Sequence, residues 1–418
     1  MNDHAAIEVP TQRTVRLVTF LGTGRYEKTK YRWSGRLDRA GASSVPSDVV
    51  STKFVARAIA EFCGATEVVV LATGKAWETH GEEFRASLQT FGLRVPERAE
   101  DFFPNGATRD ELWRQFGMLK DALRLPGGGR VLLDVTHGFR SSPFFAAAAA
   151  AFTRMVDPAP PELQVAYGAF EAKDAEGVAP IWDVTPFVEL LDWSRDLMLF
   201  LRTGRAAEVA GSVKAIGQAL HRACYEGGRV GPQPNLKPLA KAMERLGEDV
   251  ETVRTGSLLL GDGRGSSSVA AFLSKLEEAK GDLSRHIPPL DDLFDRIRSV
   301  FKPLQTDHRL SEPGGLDAIQ ALASLYFKMG RYAEAAATLR EGWINKHACE
   351  RSDCPGRPEF DDEHRKSAEE AWKAADEYLA REIAGVRNDI QHAGYRRSPM
   401  PPATIKRKID ELISKFKP

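Results

Sequence analysis

LLDVTHGFRSSPFFAAAAAAF (residues 132–152) passes from an apolar run, through a knot of small and polar residues, into six alanines between phenylalanines. The left part reads as a buried strand and the right part as a helix, because alanine has the highest helix propensity of all residues. Ser142 is a suitable N-cap and Pro143 suits the first helical position, so the helix is expected to start at Ser142. In a parallel sheet, ligands collect beyond the carboxyl ends of the strands, where N–H groups at the start of the next helix face outward. Thr136, His137, Gly138, Arg140 and Ser141 sit at such a place. Gly138 lets the backbone come close to a ligand, Arg140 offers a planar fork to phosphate, and Thr136, His137 and Ser141 add short polar groups. The set specifies an anion site; the plain alternative is a well-capped loop without a ligand.

Working outward, the first 190 residues alternate strand-like and helix-like segments. VRLVTFLGTG (15–24) is a β-branched run ending in glycine, and SDVVSTKFVARAIAEF (47–62) follows with an N-cap serine and helical periodicity. EVVVLAT (67–73) is a strand, helices are expected near 81–91 and 109–123, and RVLLDV (130–135) is the next strand. LQVAYGAF (163–170) and APIWDVT (179–185) bracket the turn KDAEG and form a terminal hairpin. This alternation predicts a mostly parallel sheet with helices on both faces. FLGTGRYEKTKYRW (20–33) is the loop expected to face the 134–143 junction, with Thr23 and Gly24 cradling phosphate and Tyr26, Tyr31 and Trp33 placed to stack on bases. Arg25, Lys28, Lys30, Arg32 and Arg36 favour a polyanion, although a solvated charged loop looks the same. A dinucleotide fingerprint fails, because Glu27 stands at the third glycine position and the strand ending Leu71-Ala72-Thr73 carries no acidic ribose ligand.

Beyond residue 190 the strand signals stop and helical segments follow, broken at 226–235, 261–268, 286–289 and 311–315. ALASLYFKMGRYAEAAATLREGW (321–343) reads as a helical hairpin turning at Gly330; with no second copy it is not a repeat array. The fold class is thus an α/β domain with a mostly parallel sheet followed by an all-α domain. Lys plus Arg equals Asp plus Glu, 58 against 58, so no global field draws the chain to nucleic acid or membrane. Four scattered cysteines fit a reducing compartment. The first residues lack a signal-peptide pattern and no segment reaches the ~20 apolar residues of a membrane span, so a cytoplasmic protein is expected.

FLGTGRY (20–26), LDVTHGFRSSP (133–143) and YGAFEAKDAEGVAPIWDVT (167–185) resemble, in order and position, the sensor domain of the CRISPR-associated Rossmann-fold (CARF) proteins. The resemblance implies that residues 15–190 bind a cyclic oligoadenylate, with cyclic tetra-adenylate the expected form, at the twofold of a homodimer or higher even oligomer. It implies further a helical connecting region at 191–305 and a ribonuclease domain of the HEPN type at 306–418. The HEPN signature is an arginine followed by a polar residue and, shortly after, a histidine; RNDIQHAG (387–394) supplies Arg387, Asn388 and His392. Looser Arg/His pairs occur at Arg130/His137, Arg340/His347 and Arg357/His364, but only Arg387 is followed by asparagine. Trp372, Ala375, Leu379, Ile383, Val386, Ile390 and Ala393 recur at helical spacing as one core stripe. At ~100° per residue this turns Arg387 and His392 away from the core. Gly385 is a possible kink and Gly394 the expected helix stop.

By that resemblance the protein is a metal-independent endoribonuclease of type III CRISPR defence that cuts single-stranded RNA, activated by its ligand. Arg387 would hold the scissile phosphate, Asn388 orient it, and His392 move a proton, leaving a 2′,3′-cyclic phosphate. From Arg381 onward nine basic residues stand against four acidic ones, which suits RNA phosphates. Two rivals stay open: a ligand-gated regulator that only binds nucleic acid, and a sensor domain that itself cleaves the cyclic ligand. No catalytic metal is expected. His347, Cys349, Cys354 and His364 have a loose zinc spacing and read better as an interhelical loop with two free thiols.

Overall fold

The structure, a computed structural model, describes residues 14–34, 48–126, 128–226, 235–261, 266–286, 288–348 and 361–417. It separates into two compact units, one through Asp192 and one from Trp193 onward. The expected division at 305/306 falls inside the second unit.

The first unit holds an eight-stranded sheet: β1 (Val15–Leu21), β2 (Thr29–Ser34), β3 (Val50–Thr52), β4 (Glu67–Ala72), β5 (Gly92–Arg94), β6 (Arg130–Asp134), β7 (Glu162–Gly168) and β8 (Val178–Asp183). The order is β3-β2-β8-β7-β6-β1-β4-β5. The run from β5 through β7 is parallel, whereas β8 is antiparallel to β7, as the hairpin reading predicts, and β2 lies parallel to β8. The helices are α1 (Val55–Cys63), α2 (Gly74–Leu88), α3 (Arg109–Leu123), α4 (Ser142–Val156) and the first part of α5 (Thr185–Thr203), whose residues from Trp193 on belong to the second unit. The pleat divides the strands between two cores. Leu17, Leu21 and Leu132 face Phe54, Ile59, Phe84 and Leu88, while Val18, Phe20, Val131 and Leu133 face Leu119, Leu123, Ala146 and Ala149. Covered on both sides, β1 is buried along its whole length, which explains its unbroken apolar reading.

Several local expectations are corrected. Val50–Thr52 is an edge strand paired with Thr29–Tyr31, so the helix expected over 47–62 begins only at Val55, and Ser47 lies outside the described residues. The helix expected near 81–91 starts at Gly74, because the Thr73 side chain accepts from Ala76 N at 3.2 Å and caps it. Residues 29–34, read as loop, form β2, with Thr29 and Tyr31 inward and Lys30 and Arg32 outward. Ser141, not Ser142, is the N-cap of α4; Ser142 is its buried first residue.

This topology positions the candidate ligand site. From β1 to β2 the chain crosses four inter-strand steps of ~4.8 Å, about 19 Å in all. The seven residues between Leu21 and Thr29 can span about 26–29 Å when extended, enough to bridge that distance with a bend. The connection therefore passes over the carboxyl ends of β6 and β7.

The second unit is helical: α6 (Ala207–Glu226), α7 (Lys237–Glu251), α8 (Thr255–Leu259), α9 (Ser268–His286), α10 (Leu290–Phe301), α11 (Pro313–Lys328), α12 (Tyr332–Ala348), α13 (Asp362–Ala375), α14 (Glu377–Gln391) and α15 (Pro402–Lys415). The hairpin of α11 and α12 turns at Gly330, whose φ of 75° needs glycine. The single helix expected through residues 372–393 is two helices. Asp376 ends α13 and caps α14, accepting from Leu379 N at 2.9 Å. No break occurs at Gly385, and α14 stops at Gln391, ahead of Gly394. Ile390 is half-buried and Ala393 exposed; the buried position belongs to Asp389.

Candidate functional site

Two loops meet above the sheet in the first unit. In the first, Gly22 N donates to the Tyr26 hydroxyl at 2.9 Å, folding residues 22–26 into a tight bend. The Tyr26 ring stands edge-on to His137 at 4.7 Å and to His80 at 4.9 Å, and packs on Phe54. His80 Nε2 lies 2.9 Å from the Gly24 carbonyl, which only accepts, so that nitrogen carries the proton. A Cβ on Gly22 would stand 3.2 Å from the His137 carbonyl, so the two loops touch there. His80 was not legible as part of this site, since only the start of α2 beside β1 brings it in.

In the second loop the buried Asp134 carboxylate ends β6. It accepts from Thr19 Oγ1 at 2.7 Å and from Thr136 N at 2.9 Å, while Gly168 N donates to Thr136 Oγ1 at 2.8 Å. Thr136 thus ties β6 to β7 with the hydroxyl assigned to a ligand from sequence. Gly138 is required by packing as well: a Cβ there would lie 2.6 Å from Ser142 Cβ. The first turn of α4 bonds internally, Ser142 N to Phe139 O and the Phe144 and Phe145 amides to Ser141 O. Outward donors lie one step earlier than expected. Among the described residues, the amides of Gly138 to Ser141 and of Thr23 and Gly24 make no hydrogen bond. Ser141 makes no side-chain cap, and Thr23, Gly24, Arg140 and Ser141 are exposed. Arg140 has no ion-pair partner among the described residues. Unbonded amides in two touching loops, with one uncompensated guanidinium, form a cradle suited to an anion.

Burial lowers the proton affinity of His137, against the raising effects of Asp134 and Glu171, so a neutral imidazole faces this cradle at neutral pH. Burial likewise pushes Tyr26 and Tyr31 up to about 12. Both tyrosines are core residues and Trp33 packs against the same core, which corrects their expected role as free stacking platforms. Of the basic residues expected here, Arg32 pairs with Asp174 at 3.3 Å and Arg25 with Glu27 at 3.7 Å; Lys28 and Lys30 are exposed, and Arg36 lies outside the described residues.

In the second unit, Arg387 and Asn388 are half-buried on the last turns of α14 and His392 is its exposed C-cap. Among the described residues none of the three side chains makes a hydrogen bond or ion pair. The competing pairs are otherwise engaged. Arg130 is buried and donates to Cys63 O at 2.8 Å, and Arg340 is held by Glu341 at 2.6 Å and Glu369 at 2.7 Å. His347 Nδ1 bonds Trp343 O, His364 Nδ1 bonds Asp361, and Arg357 lies outside the described residues. Cys349 and Cys354 also lie outside them, and no cluster of metal-ligating side chains occurs among the described residues. The basic tail is partly neutralised, since Glu382 binds Lys408 at 2.8 Å and Lys415 at 3.5 Å, and Asp389 binds Arg396 at 3.3 Å. Arg387 and Arg397 keep unpaired charge among the described residues.

Fold and sites together define an α/β unit with a mostly parallel sheet and two touching loops with unbonded amides at its strand ends, followed by a helical unit carrying an unengaged Arg-Asn-His set. The chain is similar to the CRISPR-associated protein MJ1674 of Methanocaldococcus jannaschii, 29% identical over 103 residues. That match spans 24% of this chain and 16% of the relative's length. No protein-family profile matches the chain. No helix among the described residues is long and apolar enough to cross a membrane.

Proposed function

We propose that this chain is a CRISPR-associated sensor ribonuclease of the CARF–HEPN kind: the cradle binds a cyclic oligoadenylate, and the helical unit then cuts single-stranded RNA. The single observation that carries the reading is that Arg387, Asn388 and His392 are unengaged, while Arg130 and Arg340 of the rival pairs are tied into the fold. The partial likeness to a CRISPR-associated protein supports the same context. Arg387 holds the scissile phosphate and its developing charge, and Asn388 orients it. The RNA 2′-OH attacks the adjacent phosphorus, losing its proton to water, while the P–O5′ bond breaks. His392, the C-cap of α14, gives a proton to the leaving 5′-oxygen. The products are a 2′,3′-cyclic phosphate and a 5′-hydroxyl.

The active species is a homodimer with one composite site. In support, one face of the first unit is open and apolar: Phe144, Phe152 and Met155 on α4, Trp113 on α3, and Phe187 and Leu191 on α5. Phe116 bridges Trp113 and Phe152 through ring contacts of 6.0 and 5.9 Å, so the α3 and α4 parts of the face are continuous. Such side chains are ~150–250 Å² each when aromatic, and together exceed the patches monomers usually show. Their sum is on the scale of the ~800 Å² one partner buries in a standard interface. The test is cleavage of labelled RNA in EDTA, with and without cyclic tetra-adenylate and its larger rings, by wild type, Arg387→Ala and His392→Ala. Cleavage by wild type alone supports the reading; cleavage unaffected by His392→Ala removes it.

A further inference from the structure

We infer that Tyr395 is the platform of a nucleobase subsite beside His392, taking the base that flanks the scissile phosphate of a single-stranded RNA. The inference rests on the reading of Arg387 and His392 as the RNA-cutting set. Tyr395 is 92% exposed, the most exposed large apolar side chain described, and its ring makes no hydrogen bond or ring contact among the described residues. A lone exposed aromatic is ordinary by itself. What sets Tyr395 apart is the rigidity of the backbone that presents it.

Its amide donates to the His392 carbonyl at 2.8 Å, and the preceding Gly394 amide donates to Asp389 O at 3.0 Å. The chain reaches it through two consecutive left-handed residues, Ala393 at φ 50° and Gly394 at φ 71°. Alanine rarely adopts that conformation unless its surroundings impose it. The constraint comes from Asp389, which is only 2% exposed. Its carboxylate accepts from Arg396 Nη1 at 3.3 Å and from Met400 N at 3.2 Å, and Arg396 also donates to Gly385 O at 3.3 Å. A buried carboxylate must keep its partners, so it clamps the turn on both sides of Tyr395. A ring on a fixed turn loses little freedom when a base settles on it. Every base has a face to stack, and single-stranded RNA leaves bases free to do so. The unpaired Arg387 and Arg397 on either side in sequence suit the flanking phosphates. Tyr378, 73% exposed at the opposite end of α14, lacks this setting and serves as the control.

The experiment measures the affinity of activator-loaded full-length protein, in the non-cutting His392→Ala background, for an RNA whose cut site has been mapped with wild type. Tyr395→Ala is expected to weaken binding about 5- to 100-fold, the range of one base stacked on an aromatic ring. Tyr395→Phe and Tyr378→Ala should stay within about twofold. An RNA with an abasic position beside the cut should lose the same factor against Tyr395, and nothing further against Tyr395→Ala. Unchanged affinity in Tyr395→Ala, or losses that multiply, overturns the subsite. So does a change in sedimentation of Tyr395→Ala, which would make the ring a contact between copies. No RNA cleavage by wild type under any activator overturns the underlying reading, whereas cleavage with an indifferent Tyr395 overturns the subsite alone.

Discussion

The ring of Tyr26 meets that of His137 edge-on, with centroids 4.7 Å apart, and so locks the connection after β1 onto the loop after β6. This contact forms one wall of the cradle and leaves His137 half-buried. Burial lowers the imidazole's proton affinity below its ordinary value of 6.5. Below 6.5 the unfolded chain therefore binds a proton that the folded chain resists, so stability falls as pH drops through that value. Urea midpoints measured from pH 7.5 to 5 are expected to decline, and to decline less in His137→Gln. Equal slopes in the two proteins would mean that His137 is not held neutral by the fold.

Two glycines of the cradle separate folding from binding. A Cβ on Gly24 meets nothing within 4 Å, so Gly24→Ala should leave the melting temperature unchanged while weakening activator binding. A Cβ on Gly138 would lie 2.6 Å from Ser142, so Gly138→Ala should destabilise by about 1–3 kcal/mol, with partial recovery in Gly138→Ala/Ser142→Gly. Calorimetric melting and ligand titration check both. Loss of stability in Gly24→Ala would contradict the open geometry.

Arg140 is exposed and unpaired among the described residues, so its removal should cost the fold nothing. Arg140→Ala is expected to lower activator affinity about ten- to a hundredfold, the loss of one charge-assisted phosphate contact. Isothermal titration measures this. An unchanged affinity would remove Arg140 from the phosphate-binding role.

The sheet and the 132–152 junction were legible because parallel strands buried on both faces read as unbroken apolar runs and alanine marks its helix. The edge strands were not. Val50–Thr52 and Gly92–Arg94 have three residues each, and β2 hides its alternation among lysines and arginines of a stretch that reads as loop. That error also hid the fate of Tyr26 and Tyr31, which become core residues once the chain must cross β6 and β7. In α14 the apolar spacing located the helix but not its end. The left-handed backbone at Ala393 and the burial of Asp389 depend on Arg396 and the Met400 amide, partners that no periodicity announces.

Phe144 is 78% exposed, so replacing it barely touches the core of the first unit. Phe144→Glu should keep the melting temperature within a few degrees yet convert the proposed dimer into monomers in sedimentation equilibrium. If the cutting site is composite as proposed, RNA cleavage should fall with dissociation. A Phe144→Glu protein that sediments as a dimer would place the interface elsewhere.

The central claim is that ligand in the cradle switches on the Arg387 and His392 set. A ligand can shift the protein only by binding one arrangement better than another, and small changes in the paired catalytic geometry alter rate more steeply than RNA binding. The most direct measurement is single-turnover cleavage at saturating RNA in EDTA, with and without cyclic tetra-adenylate, for wild type and His392→Ala. The account predicts that the activator raises the wild-type rate constant at least tenfold, changes RNA affinity only a few-fold, and does nothing for His392→Ala. Equal wild-type rate constants with and without the ligand, or full-rate cleavage by His392→Ala, would contradict it.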